Sequence, residues 1–203
     1  MLYYQTVEPN TLEFLKDLCF QDYLNQFVLV GGTALALQIG HRKSIDLDFF
    51  TTNDFKVGEL IPRLLKDYKL NPILQTEQTL ICLINSVKVD FIRFKYPFIR
   101  PIITENGIRM LQIEDIAPMK IDAITGRGKK KDFYDLYYLM KQFSIEELFS
   151  LFLEKYPHQT TFHVAKSIAY FTDAESDPDP SVFDQKISWI KVKNAIKKEI
   201  RKL

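Results

Sequence analysis

Phe27-Val28-Leu29-Val30-Gly31-Gly32-Thr33-Ala34-Leu35-Ala36-Leu37-Gln38-Ile39-Gly40-His41-Arg42-Lys43-Ser44-Ile45-Asp46-Leu47-Asp48-Phe49-Phe50 reads as five pieces in a row. A short apolar run leads into two glycines, a small-residue helix, a polar turn and an alternating strand. In the strand Ile45, Leu47 and Phe49 share one face, while Ser44, Asp46 and Asp48 share the other. Carboxylates two residues apart on a strand stand side by side, with roughly 7 Å between their Cα atoms. Unpaired they repel, and each is costly to desolvate. A divalent cation relieves both problems, and oxygen ligands of this kind suit Mg²⁺ or Mn²⁺. The first half of the run suits a phosphate. Gly31 and Gly32 let the backbone approach a ligand closely, and a helix starting near Thr33 aims free N–H groups at the same spot. A bland strand–turn–helix with a surface Asp pair would also satisfy the pattern.

Outward from this run, the chain has 203 residues, enough for one large domain or two small ones. Composition is ordinary for a soluble globular protein, and the formal net charge of +1 gives no global field, so any electropositive surface is local. Cys19 and Cys82 lie in apolar surroundings and read as buried thiols of a reducing compartment. With no long apolar stretch and no signal pattern, a cytoplasmic protein away from membranes is expected. A P-loop motif is absent.

Before the run, a helix is expected from Thr11, with Asn10 as its N-cap. After it, Asp54 caps a helix to about Asp67 that contains Pro62, and strands follow at 73–77 and 79–84. Asn85-Ser86 turns the chain into Val87-Lys88-Val89-Asp90-Phe91-Ile92-Arg93-Phe94. Asp90 lies mid-strand with Lys88, Ile92 and Phe94 on its face, and an acid there needs a partner. Residues 95–107, with Pro97, Pro101 and Asn106-Gly107, read as a boundary loop between a core (1–107) and a helical part (108–203). Helix 113–126 places Lys120 on the same stripe as Ile113, Ile116, Ala117, Ile121 and Ile124, from which it could snorkel outward. Arg127-Gly128-Lys129-Lys130-Lys131 leads into a helix opened by Asp132, which suits the positive dipole end there. Helices at about 144–156 and 160–171, an acidic spacer (Asp173–Asp184) and a basic amphipathic tail (Lys186–Leu203) complete the chain. Docking on the helical part is the first expectation for the tail, ahead of RNA or an acidic partner.

Gly31-Gly32-Thr33, Gly40-His41-Arg42 and Ser44-Ile45-Asp46-Leu47-Asp48-Phe49 together resemble the first motif of the AbiEii/AbiGii toxin-family nucleotidyltransferases, within the DNA-polymerase-beta-like superfamily. The resemblance covers most of residues 27–140. It implies an α+β fold, in which a mixed sheet flanked by helices is followed by a helical C-terminal half. It implies that Asp46, Asp48 and Asp90, the third from a neighbouring strand, hold Mg²⁺ or Mn²⁺. Gly31, Gly32 and Thr33 would line the phosphates, with Arg42, Ser44 and Lys120 adding nucleotide contacts. Arg127 to Leu136 is similar to the family's R-x-x-x-[RK]-D-x-x-D-L segment, which makes Asp132 an expected site residue and Asp135 a supporting one. The activity implied is transfer of an NMP from an NTP to an acceptor hydroxyl on a tRNA 3′ end or a protein. The biological role implied is the toxin of a toxin–antitoxin or phage-defence pair, with a cognate antitoxin. A non-catalytic nucleotide- or partner-binding module on the same fold is the alternative.

Overall fold

The computed structural model describes residues 1–202; Leu203, the end of the basic tail, lies outside the described residues. The chain forms two compact units, one of Met1–Gly40 with Ser44–Gln112, the other of His41–Lys43 with the chain from Ile113 on. The division falls after Gln112 rather than after Gly107. Asn106 and Gly107, at φ 50° and 80°, form the tight turn of a hairpin whose second strand belongs to the first unit.

The first unit carries helices α1 (Pro9–Phe20), α2 (Gly31–Ile39) and α3 (Val57–Asp67) and strands β1 (Val28–Val30), β2 (Leu47–Thr51), β3 (Leu70–Gln75), β4 (Thr79–Ile84), β5 (Val87–Arg93), β6 (Ile103–Glu105) and β7 (Ile108–Met110). The strands form one mixed sheet in the order β3-β4-β5-β2-β1-β7-β6, with β2–β5 and β1–β7 parallel. Glu8, not Asn10, caps α1, accepting from the Thr11 N–H at 3.0 Å, because Pro9 occupies the first helical position. Helix α3 starts at Val57, and Asp54 instead pairs with Arg93 at 3.2 Å. Asn85 and Ser86, both at positive φ, make the expected turn. Alternation sorts the sheet residues. Leu47, Phe49, Leu80, Cys82, Val89 and Phe91 point into the core, where Phe49 stacks on Phe91 with centroids 5.6 Å apart. Burying side chains of this size stabilises the fold by about 1.5–3 kcal/mol each. Asp48, Phe50, Lys88, Asp90 and Ile92 take the opposite face.

The second unit contains α4 (Ile113–Gly126), α5 (Lys130–Leu139), α6 (Ile145–Lys155), α7 (Thr161–Ile168) and α8 (Trp189–Ile200). Helix α4 is central, packing on α5, α6 and α7. Ser144 and Glu147 form a reciprocal capping box at the start of α6. The basic tail docks as α8 on α5, where Trp189 stacks on Tyr134 at 6.0 Å and meets Phe133 and Phe171 edge-on at 5.7 Å. Among the described residues no helix is long and apolar enough to cross a membrane. Cys19 and Cys82 are free and buried, and burial pushes the Cys82 thiol up to about 12.

Candidate active site

The expected site residues fall into two groups, one in each unit. In the first, Val30 bends directly into α2, whose first residue is Gly31 and not Thr33. The N-cap residue, Val30, has no polar side chain to cap this end, and the carboxylate that lies against it is Asp48. Gly31 sits at φ +68°, and a Cβ there would run into the Asp48 carboxylate. The position therefore demands glycine twice over, for its left-handed backbone and for the close approach. Asp48 pairs in register with Val30 on one side and with Asp90 on the other. Because β2 and β5 run parallel, register partners project to the same face, so Asp48 and Asp90 are neighbours. Asp46 lies one residue ahead of β2. Its carbonyl accepts from the buried Thr33 hydroxyl, whose oxygen lies 2.8 Å from Ser44 Oγ and is placed to accept from the Ser44 hydroxyl. Thr33 and Ser44 thus pin the segment bearing Asp46 onto the start of α2. Their hydroxyls face each other, where direct nucleotide contacts had been expected.

A cation already stands among these acids. Lys88, two residues before Asp90 on the same face, donates to both Asp90 carboxylate oxygens at 2.7 and 2.8 Å. Burial would lower its pKa, but Asp90 foremost, then Asp48 and Asp46, hold it above the usual lysine value. The ammonium is bonded to Asp90 alone, and the charges of Asp48 and Asp46 add to its pull from further off. The donor set, oxygen throughout, suits a hard divalent ion. Among the described residues no three acidic, His or Cys side chains are yet gathered at metal-holding distance, with Asp90 turned to Lys88 instead. A metal would have to displace that ammonium. Lys88 was legible only as a neighbour of Asp90; two residues of spacing on a strand is the signal that places it there.

The second group is a sealed charge knot. Asp135, fully buried, accepts from Arg42 Nε at 2.6 Å and Nη2 at 2.9 Å and lies 2.7 Å from His41 Nε2 and from Lys120 Nζ. Lys120 also donates to Asp132 at 3.0 Å, and Arg127 Nε reaches the other Asp132 oxygen at 3.0 Å. Burial alone would raise the Asp135 carboxyl, but the Arg42 guanidinium and Lys120 ammonium, with the bonds from Arg42 and His41, hold it well below the usual range. Lys120 is likewise held charged: burial opposes it, and Asp135 and Asp132 outweigh burial. His41 is lowered, because burial outweighs Asp135. Its Nδ1 has no partner.

Three expectations change here. Arg42, expected on the nucleotide, has a side chain only 4% exposed and committed to Asp135 in a bidentate pair. Lys120 does not snorkel; it is buried and shared by two carboxylates rather than offered to phosphates. Asp132, expected at the site, is fully buried, with Lys120 on one oxygen and Arg127 on the other. His41, beside Arg42 in the Gly40-His41-Arg42 run, belongs to the knot as well.

Comparison with known proteins agrees with this architecture. Residues 13–193 match the family model described as nucleotidyl transferase AbiEii toxin, type IV TA system. An uncharacterized protein of Aquifex aeolicus is 36% identical over 174 residues, covering 81% of this chain and 83% of its own length. A protein of H. pylori described as a nucleotidyltransferase superposes with a TM-score of 0.59 at 20% identity, covering 96% of this chain and 93% of that one. JHP933 from Helicobacter pylori does so with 0.53 at 18%, covering 97% and 94%. At these identities the two structures speak for the fold: an α+β nucleotidyltransferase core followed by helices. The family model speaks for the rest, and by it the chain belongs to the AbiEii toxin family and is a nucleotidyltransferase.

Proposed function

We propose that the first unit's acidic face carries metal-dependent NMP transfer from an NTP to an acceptor hydroxyl, in the setting of a toxin held in check by an antitoxin. The observation that supports it best is the pairing of Asp48 with Asp90 beside the Gly31 end of α2, with a lysine ammonium drawn among the acids. Asp46, Asp48 and Asp90 would hold Mg²⁺ or Mn²⁺, which when bound would offset phosphate charge and ease loss of the acceptor's proton. The N–H groups of Gly31 and Gly32, at the start of α2, would take triphosphate oxygens, where the helix dipole favours them. Thr33 and Ser44 would keep Asp46 in place through their mutual hydrogen bond. A carboxylate oxygen of Asp90, once released by Lys88, would be free to accept the hydroxyl proton. Arg42, Lys120, Asp132 and Asp135 would act by keeping the helical unit in shape, not by touching substrate.

A second reading has one observation of its own. Asp90 is already neutralised by Lys88, which is what a nucleotide- or partner-binding module without chemistry would also show. Incubation with each α-³²P-NTP and Mg²⁺, against an EDTA control, decides between them. Label moving to total RNA or to a protein fraction supports transfer and names the acceptor hydroxyl. NTP binding with no label moved to either would leave the module.

A further inference from the structure

The row of side chains that holds Asp48 and Asp90 runs on, past the acids, into apolar residues. Asp90 on β5 is the register partner of Ile81 on β4, and Ile81 is that of Leu74 on β3. Asp48, Asp90, Ile81 and Leu74 therefore lie in line across four strands on one face. Leu83, the partner of Lys88, flanks Ile81 on that face. Ile81 and Leu83 are half-buried, Leu74 is 49% exposed, and Ile73, in the bulge between Pro72 and Leu74, is 59% exposed. Although β3 is the edge of the sheet, Pro72 and the bulge blunt it against pairing with another strand. What it offers is side chains. From Leu70 to Val87 the only charged residue is Glu77. A surface without a cation has nothing to hold the phosphates of a nucleic acid, whereas adjoining large apolar side chains left in water mark a protein-binding surface.

The order of the strands gives this apolar wing its role. The start of α2, read above as the triphosphate site, follows Val30, which flanks Asp48 on the side away from Asp90. Asp90, read above as the group that takes the hydroxyl proton, is the acid next to the wing. An acceptor hydroxyl beside Asp90 thus belongs to a molecule lying over β4 and β3.

We propose that the acceptor is a protein, which presents a Ser, Thr or Tyr hydroxyl on an uncharged segment seated on Ile73, Leu74 and Ile81. The proposal rests on the reading of the acidic face as the transfer site. In the reaction the hydroxyl oxygen bonds to the α-phosphorus of the NTP, and the bond from that phosphorus to the α–β bridging oxygen breaks. Pyrophosphate leaves with the electron pair, and the proton passes to an Asp90 oxygen. Two strand spacings separate Leu74 from Asp90, about 10 Å, or about three residues of extended chain. The acceptor segment should therefore carry an apolar anchor about three residues from its hydroxyl.

The test incubates the full chain with α-³²P-NTPs, Mg²⁺ and neutral 11-residue peptides of Gly, Ala and Asn. Each peptide holds one Ser, Thr or Tyr and one Leu placed one to five residues away on either side. Label should be strongest at a spacing of about three, and added salt should not weaken it. Ile73→Asp and Leu74→Asp should each raise KM for the best peptide about tenfold or more and keep its kcat and the affinity for MANT-labelled ATP. Leu74→Met should behave as wild type. Both side chains are exposed, so folding is not at stake, and the melting temperature checks it. Labelling that ignores the Leu, or an unchanged KM in both Asp variants, overturns the wing. So does label that reaches RNA in a parallel incubation and no peptide. Asp48→Asn separates the two claims through pyrophosphate release from NTP with water as acceptor. If that release survives the substitution, the acidic face is misassigned. If it is lost while wild type releases pyrophosphate and labels no peptide, the face stands and the protein acceptor falls.

Discussion

Asp48 is half-buried on its sheet face beside the buried Asp90, whereas Asp132 and Asp135 are fully buried among helices, and the two pairs handle charge in opposite ways. Asp90 is bound by a lysine whose side chain is 37% exposed, and a partner so placed can swing into water and leave. Asp135 is clamped by a bidentate guanidinium, an imidazole and an ammonium, none more than 5% exposed. Exchangeable charge is what a site for metal and phosphate requires, while fixed charge is what a scaffold requires. Both groups lie in motifs that resemble the family's, so motif membership alone does not separate chemistry from support. Exposure and the number of fixed partners do.

The largest effect should come from swapping the insult between the two. Asp48→Asn should cut nucleotidyl transfer by on the order of 10³-fold or more, since several kcal/mol of charge stabilisation would go. Its urea midpoint should stay near wild type, because Asp48 is half-exposed. Asp135→Ala should do the reverse, removing about 3–5 kcal/mol of stability by taking the bidentate carboxylate from buried Arg42 and one of two carboxylates from buried Lys120. Urea unfolding followed by circular dichroism, with transfer measured on the fraction still folded, reads both at once. If Asp135→Ala kept its stability and lost its activity, the helical knot would be chemistry after all.

Gly31→Ala should fall between these extremes. The left-handed backbone costs about 1–2 kcal/mol for a residue with a Cβ. The new methyl would also push the Asp48 carboxylate aside, and a displacement of about 1 Å at a reacting centre can cost roughly 10²-fold. Gly40→Ala is the matched control. It shares the φ of +68° but meets the Tyr3 ring instead of an acid, so it should lose stability without a specific loss of turnover.

How far these positions could be read from residue order depends on where their partners lie. The Gly-Gly turn, the acids of β2 and the Asn85-Ser86 hairpin are local, and periodicity or turn chemistry was enough for them. The β6–β7 hairpin was hidden because three-residue strands carry almost no period, and Asn106-Gly107 then reads equally as a boundary loop. Lys120 defeats any single-helix reading: one helix shows a cation on an apolar stripe, and its carboxylates stand 12 and 15 residues away on α5. Arg42 is more remote still, 93 residues before Asp135. No spacing rule links a three-residue excursion between α2 and β2 to a later helix.

Acid should separate the two regions more gently. Asp135 has its pKa lowered on folding, so below the unfolded value of about 3.9 the unfolded chain binds the proton first. Its contribution is present above that pH and is lost as pH falls towards the lower folded value. His41 is also lowered, so the unfolded chain takes its proton first below about 6.5, and stability declines from there as well. Urea midpoints at pH 7.5, 5.5 and 3.5 should therefore step down twice. His41→Leu should flatten the upper step and spare the lower. A midpoint that rises on going from pH 7.5 to 5.5 would contradict the buried, neutral imidazole.

The smallest effect tests whether the open face is truly exchangeable. Lys88 and a divalent cation compete for the Asp90 oxygens, so Lys88→Ala should tighten Mn²⁺ binding to the apo protein. The gain is bounded by what a partly exposed ion pair is worth, up to about 1 kcal/mol or roughly fivefold in Kd. Calorimetric titration of Mn²⁺ into wild type, Lys88→Ala and Asp48→Asn should rank them in the order Lys88→Ala, wild type, Asp48→Asn. Weaker binding in Lys88→Ala would mean that the ammonium positions the carboxylates for the metal and does not stand in for it. The contrast between the two regions would then narrow, because both would hold their acids with fixed cations.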